Sequence, residues 1–126
     1  MATVVKMTSA GSAVVTALLA ASNAKYVAWG IGTTAAAATD TTLESESAET
    51  RISGTQSTVT TDHTNDTYQD VGEVTCSGAG KAITEAGVLD ATPSGGSLYT
   101  RATFSAINVD VGDKIEFTFK VKHDHS

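Results

Sequence analysis

From Lys114 to Lys122 the chain alternates without a fault, with Ile115, Phe117, Phe119 and Val121 on one side and Lys114, Glu116, Thr118, Lys120 and Lys122 on the other. Only an extended strand, whose side chains point to opposite faces with a period of two, converts such a run into one dry face and one wet face. Burying its four apolar side chains is worth on the order of 1.5 to 3 kcal/mol each before entropy is counted. That gain requires a second layer to pack against, so this segment commits the chain to a layered β architecture.

The rest of the sequence follows the same grammar. Tyr26 to Trp29 reads as a strand running into the turn Gly30-Ile31-Gly32, and Ile83 to Leu89 as another. Arg51 to Thr61 and Thr67 to Ser77 read as the arms of a long hairpin around His63-Thr64-Asn65-Asp66. Tyr68, Val71 and Val74 share a face there only if a bulge near Gly72 shifts the register. In Leu98 to Ser105, Leu98, Thr100, Ala102 and Phe104 alternate with Tyr99, Arg101, Thr103 and Ser105. Thr33 to Thr50 is too rich in acidic groups for a core strand and reads as a surface excursion anchored by Leu43. Ahead of the strands, Thr8 or Ser9 is a good N-cap, and Ala10, Ala13, Val14, Ala17, Leu18 and Ala21 recur at helical spacing.

These elements predict a mainly β protein, an antiparallel β-sandwich or jelly-roll-like barrel with one N-terminal α-helix. The 126 residues make a single domain: an arm over 1–7, the helix over 8–22, the sandwich over 25–122 and a tail over 123–126. With 40% apolar but only 6% aromatic residues, much of the apolar content being alanine, the core has few large anchors. Association with other copies is the expected remedy for so lean a core.

Composition also excludes functions. The net charge of −6, from 14 acidic and 8 basic residues with no basic cluster, argues against nucleic-acid binding. Ala13 to Ala21 falls short of the roughly 20 residues that cross a bilayer, and Lys6 alone does not make a signal-peptide n-region, so a cytosolic assembly product is expected. Cys76 is expected to be a small buried thiol.

Gly78-Ala79-Gly80-Lys81-Ala82 fails as a phosphate loop, because Thr75 and Ala82 stand where a glycine and a hydroxyl residue are needed. Gly30-Ile31-Gly32 lacks the third glycine of a dinucleotide site. His123-Asp124-His125 reads as a solvated tail before it reads as a metal site. The turn around His63 lacks the spacing of a calcium loop. No serine sits in a Gly-x-Ser-x-Gly elbow, and no enzyme, cofactor, metal or small-molecule substrate is expected. The one unusual polar residue is Glu85, a carboxylate in an otherwise apolar strand, for which Arg51 and Arg101 are candidate partners.

Lys25-Tyr26-Val27-Ala28-Trp29-Gly30-Ile31-Gly32-Thr33-Thr34, then Leu43-Glu44 and Arg51, then Ile83-Thr84-Glu85-Ala86-Gly87 with Asp90, then Arg101 to Lys114, together resemble small tailed-phage capsid decoration, or cement, proteins. The same skeleton is similar to the amino-terminal domain of tail-collar fibre proteins, which leaves a tail, collar or baseplate attachment module as the alternative. The absence of a shaft after Val121 favours a head protein. The resemblance implies a homotrimer, made in the host cytoplasm, that sits on the outer capsid surface of the virion, contacts the major capsid protein and stabilises the expanded shell. Candidate subunit or capsid contacts are Val4 and Val5 in the arm, the aromatics Tyr26 and Trp29, and the charged residues Glu44, Glu46, Arg51, Glu85 and Arg101. Trp29 is equally a candidate core anchor, and the acidic run Asp40 to Glu49 is either a face for basic capsid surface or a solvated loop.

Overall fold

The computed structural model describes residues 5–123. Val4, Asp124 and His125 lie outside the described residues. The protein is mainly β, a sandwich of two antiparallel sheets with one helix. Helix α1 (Ser9–Ala20) precedes seven strands: β1 (Tyr26–Gly30), β2 (Ile52–Ser53), β3 (Thr55–Val59), β4 (Thr67–Thr75), β5 (Lys81–Leu89), β6 (Leu98–Val109) and β7 (Lys114–Lys122). One sheet has the order β2-β1-β5-β6 and the other β3-β4-β7.

The predicted hairpin divides at its start. Ile52 and Ser53 pair with Val27 and Tyr26 in the first sheet, whereas Thr55–Val59 pairs with β4 in the second. Gly54 is the crossing point between the layers, and its N–H donates to Lys25 O.

The core fills the space between the sheets. Val27, Trp29, Ile83, Ala86 and Val88 from the first layer meet Val74, Phe117 and Phe119 from the second, with Cys76 and Val109 at one end. Trp29 and Phe117 meet edge to face with ring centroids 6.4 Å apart, joining the layers through the geometry aromatic pairs prefer. Trp29 is thus the core anchor, 1% exposed. Strand β7 alternates as its sequence dictates, apolar side half-buried and charged side exposed. Between β6 and β7, the two edge strands on this side, a groove of about 320 Å³ shows Phe104, Ile107, Ile115 and Phe117 to the surface.

Two registers differ from the sequence reading. Strand β4 pairs with β7 continuously from Thr67↔Lys122 to Thr75↔Lys114, so there is no bulge at Gly72. Tyr68, Asp70, Gly72 and Val74 face inward, and Val71 faces the other way. Gly72 serves close approach instead, since a Cβ there would lie 2.6 Å from Val27 Cγ2 across the sandwich. The irregularities lie between β5 and β6, where pairing shifts between Ile83 and Glu85 and again between Val88 and Leu89. The first lets Ile83 and Ala86 both reach the inter-sheet core while Glu85 turns to the outer face. The second puts Tyr99 on the core side and Leu98 against Leu43, Ala28 and Leu89, so the simple alternation expected of β6 does not hold.

Helix α1 begins where expected, with Thr8 Oγ1 accepting from Gly11 N at 3.0 Å, and it packs on the sandwich by its hydroxyl-bearing side. Its fully buried residues are Ser12 and Thr16, while Val14 is 58% and Leu18 68% exposed. Ser12 Oγ donates to His123 O at 3.0 Å and Thr16 Oγ1 shares a hydrogen bond of 2.9 Å with His123 Nδ1. His123 is therefore docked under the helix, and the expected solvated tail does not begin with it.

Replacing Gly72 by Ala is expected to destabilise the fold by about 1 to 3 kcal/mol in urea denaturation, the usual cost of overpacking. In a Val27→Ala background, itself less stable for the cavity it opens, the same glycine change should cost much less. Equal losses with and without the Val27 change would place the strain elsewhere.

Candidate functional site

Twenty-one residues from Ile31 to Arg51 cross the outer face of the first sheet with no regular strand, interrupted only by a bridge between Glu46 and Gly30. Such a length of irregular backbone stays ordered only if its polar groups find partners. Three carboxylate clasps and one apolar anchor provide them.

Glu85 forms the first clasp. Its side chain is fully buried, yet every lone-pair direction is used: Oε2 accepts from Gly32 N at 2.8 Å and Ser45 N at 2.7 Å, and Oε1 from Glu44 N and Arg101 Nε, both at 2.9 Å. The glycines of the Trp-Gly-x-Gly turn make this possible. A Cβ on Gly30 would fall 2.3 Å from Ser45 O, and one on Gly32 2.5 Å from Glu85 Oε2. Arg101 extends the clasp, donating through Nη1 to Asp40 Oδ2 at 3.0 Å and through Nη2 to Thr34 O at 2.9 Å. Glu44 in turn accepts from the backbone of Thr33 and Thr34 and from the Thr34 hydroxyl. Burial pushes the Glu85 carboxyl upward, but the N–H groups of Ser45 and Glu44, the Arg101 guanidinium and Gly32 N outweigh it and hold the group below its ordinary value.

The second clasp joins Glu46 and Arg51. The guanidinium grips the carboxylate through Nε and Nη2, both at 2.9 Å, and its Nη1 donates to Ala91 O at 2.7 Å and Gly95 O at 2.9 Å. This fork ties the end of the excursion to the turn between β5 and β6. In the third, Glu49 accepts from Trp29 Nε1 and Ser77 N, both at 3.0 Å, and is paired with Lys81. Burial opposes ionisation of Glu49, and Lys81, Ser47, Trp29 and Ser77 override it, so the carboxyl lies far below the usual range. Leu43, 4% exposed, supplies the apolar anchor on Ala28, Leu89 and Leu98.

Of the candidate contact residues, Glu44, Glu85 and Arg101 converge, and Arg101 and Asp40 border two open concavities of about 300 and 260 Å³, the smaller also lined by Thr34 and Glu44. Glu44, Glu46, Arg51, Glu85 and Arg101 spend their charges inside the subunit, and Trp29 is core. Glu85 meets Arg101, while Arg51 has a partner of its own in Glu46. Tyr26 is half-buried at the start of β1 with Lys25 Nζ 5.7 Å from its ring centroid, and Val5 is 88% exposed. The acidic excursion is not a free acidic face, because Asp40, Glu44, Glu46 and Glu49 all turn to partners within the chain. Chemically the arrangement is a fastener. Glu85 has no lone pair left for a metal or a proton relay, and among the described residues no three His, Cys, Asp or Glu side chains are grouped to hold a metal ion.

Two acids are buried where the sequence reading foresaw no burial, Asp66 in the expected hairpin turn and Asp70 in β4. Asp66 closes the β3–β4 turn, its carboxylate accepting from the N–H groups of Thr61, Asp62 and His63. Asp70 is fully buried in β4, and neither oxygen meets a hydrogen-bond donor among the described residues. It presses on Gly54, where a Cβ would lie 2.1 Å from Oδ1. Burial pushes its carboxyl up to about 6, with the charge of Lys25 pulling the other way. Its inward place was legible from its period-two spacing with Tyr68, Gly72 and Val74.

Comparison with protein-family models, curated proteins and solved structures returned no match.

Glu85→Gln is expected to cost about 3 kcal/mol or more in urea denaturation at neutral pH, because it leaves Arg101 buried without its main counter-charge. The ordinary value of the Glu85 carboxyl is 4.5 and the folded value is lower, so its contribution is complete above 4.5 and is lost as pH falls below it. The deficit of the variant should shrink correspondingly in acid; a variant as stable as wild type at pH 7 would refute the clasp.

Asp70 behaves with the opposite sign. Its folded value of about 6 stands above the ordinary 3.8, so the protein loses stability as pH rises between those values. Asp70→Asn should raise the melting temperature at pH 7.5 and give almost no gain at pH 4. An equal loss at both pH values would mean that the carboxylate has a partner.

Proposed function

We propose that this chain is a structural protein of a tailed-phage virion, a decoration or cement protein that binds the outer surface of the assembled capsid and stabilises the expanded shell. One observation carries the reading. The scattered motifs on which the resemblance rests, Trp29-Gly30-Ile31-Gly32, Leu43-Glu44, Glu85-Ala86-Gly87 and Arg101, meet in space around a single carboxylate. They are consecutive parts of one fastener, so what they would preserve from protein to protein is a stiffened sandwich and not a reaction centre.

Such a body suits a passive role. A protein that binds only the expanded lattice stabilises it by its own binding free energy, about 2.7 kcal/mol per site when present at a hundred times its dissociation constant. An excursion already fastened to its sheet loses little freedom on docking, which keeps more of the contact energy as affinity. On this reading the chain acts as a homotrimer over local threefold positions, touching neighbouring major capsid subunits.

The experiment is cosedimentation of the purified protein with expanded shells and with procapsids of the phage that encodes it, followed by heating of the loaded shells. Binding confined to expanded shells, with a raised disruption temperature, is expected. Failure to bind expanded shells, with the protein recovered instead in a few copies per particle from isolated tails, would replace the head reading by the collar or baseplate one.

A further inference from the structure

Helix α1 carries an apolar stripe that its own chain leaves uncovered. Ala10, Val14, Ala17, Leu18 and Ala21 are all exposed, while the opposite side of the helix rests on the sandwich through the hydroxyls of Ser12 and Thr16. The arrangement inverts the usual amphipathic helix, whose apolar stripe faces the core.

We infer that this stripe is the contact through which three copies of the chain associate, with their α1 helices packed around a common threefold axis. The inference deepens the homotrimer of the reading above and rests on it for the number three; the contact itself rests on the helix.

Charge selects a second copy as the occupant. From Met7 to Ala24 there is no ionisable side chain, and neither end of the helix carries an acidic or basic residue. Two copies of a chain of net charge −6 repel wherever their acidic surfaces meet, so an uncharged strip is where like can touch like. It offers nothing to attract a charged partner.

Spacing agrees. Ala10, Val14, Ala17 and Ala21 follow one another at intervals of four, three and four, the seam of helices that pack on their own kind, and the small alanines let the backbones come close. Width favours three over two. Ala17 and Leu18, adjacent in sequence and therefore about 100° apart on the helix, bound a sector that also holds Ala10, Val14 and Ala21. A two-helix seam uses a narrower strip, whereas in a ring of three each helix meets two neighbours. A helix of 12 residues, about 18 Å long, is also small beside the roughly 800 Å² per partner of a standard interface, and contact with two neighbours adds to the area it covers. Beside it, between the helix and the β3–β4 turn, a groove lined by Ala10, Ala13, Thr60, Asp62 and His63 borders the stripe, and Asp62 marks where the uncharged surface ends.

The test is sedimentation of the full-length protein and of Leu18→Glu and Val14→Glu. Both positions are exposed in the subunit, so the variants should keep the wild-type circular dichroism and unfold cooperatively, losing only the concentration-dependent part of the urea midpoint that association supplies. Wild type is expected to sediment as a trimer and each variant as a monomer, with association weakened about a hundredfold or more by carboxylates forced into a dry seam. Ala17→Cys supplies a positive readout, since mild oxidation should cross-link copies to each other, Cys76 being buried. Monomeric wild type, or variants that remain trimers, would overturn the inference. Wild type that binds shells as a monomer, with binding abolished by Leu18→Glu, would overturn it too and assign the stripe to the capsid. A trimer that dissociates on Leu18→Glu but has no affinity for any shell would uphold the helix contact and remove the capsid reading.

Discussion

A single buried carboxylate decides what this molecule is. Glu85 lies in the middle of β5, where an unpaired negative charge would be intolerable, and it is made tolerable by three backbone N–H groups and one guanidinium. Those donors come from parts of the chain far apart in sequence, so satisfying the charge and folding the excursion are the same event. Remove the carboxylate and Arg101, Gly32, Glu44 and Ser45 lose their common point. The glycines at 30 and 32 and the irregularity at Thr84 follow from it, the first two by letting backbone reach the oxygens and the third by turning Glu85 outward while Ile83 stays in the core.

The consequence is a sandwich whose longest irregular segment is tied to its sheet by hydrogen-bonded carboxylates and by Leu43. Acidic residues that would give an open loop a negative face are neutralised within the subunit by Arg51, Lys81 and Arg101. What remains for other molecules is the apolar outer stripe of α1, the Phe-lined groove between β6 and β7, and the charged outer face of β7. On the proposed reading these surfaces, and no reaction centre, carry the protein's usefulness. Among the described residues only Asp70 and the Tyr99 hydroxyl are buried without a hydrogen-bond partner, and Asp70 is a carboxylate kept in the core at some expense of stability at neutral pH.

Much of the fold was legible because period two is hard to mistake. Strand β7 is read off its own residues, and the helix off its cap and spacing. The failures share a cause, the assumption that apolar means inward. Grouping Val71 with Tyr68 and Val74 demands a bulge, when the inward residue is Asp70; and the helical stripe of α1 faces outward, the chain burying Ser12 and Thr16 instead. Spacing reveals a stripe but not what covers it. In the clasps, an Arg partner for Glu85 followed from the cost of a buried charge, yet the choice between Arg51 and Arg101, and the part played by Glu49, depend on how the excursion folds back. No local pattern carries that information.

The central claim is that the excursion is fastened through Glu85 and moves only when the sheet does, and amide hydrogen exchange on the native protein tests it most directly. The N–H groups of Gly32, Glu44 and Ser45 are expected to exchange as slowly as the β5 amides on either side of Glu85. Exchange of those amides at the rate of an open loop, while β5 stays protected, would contradict the account.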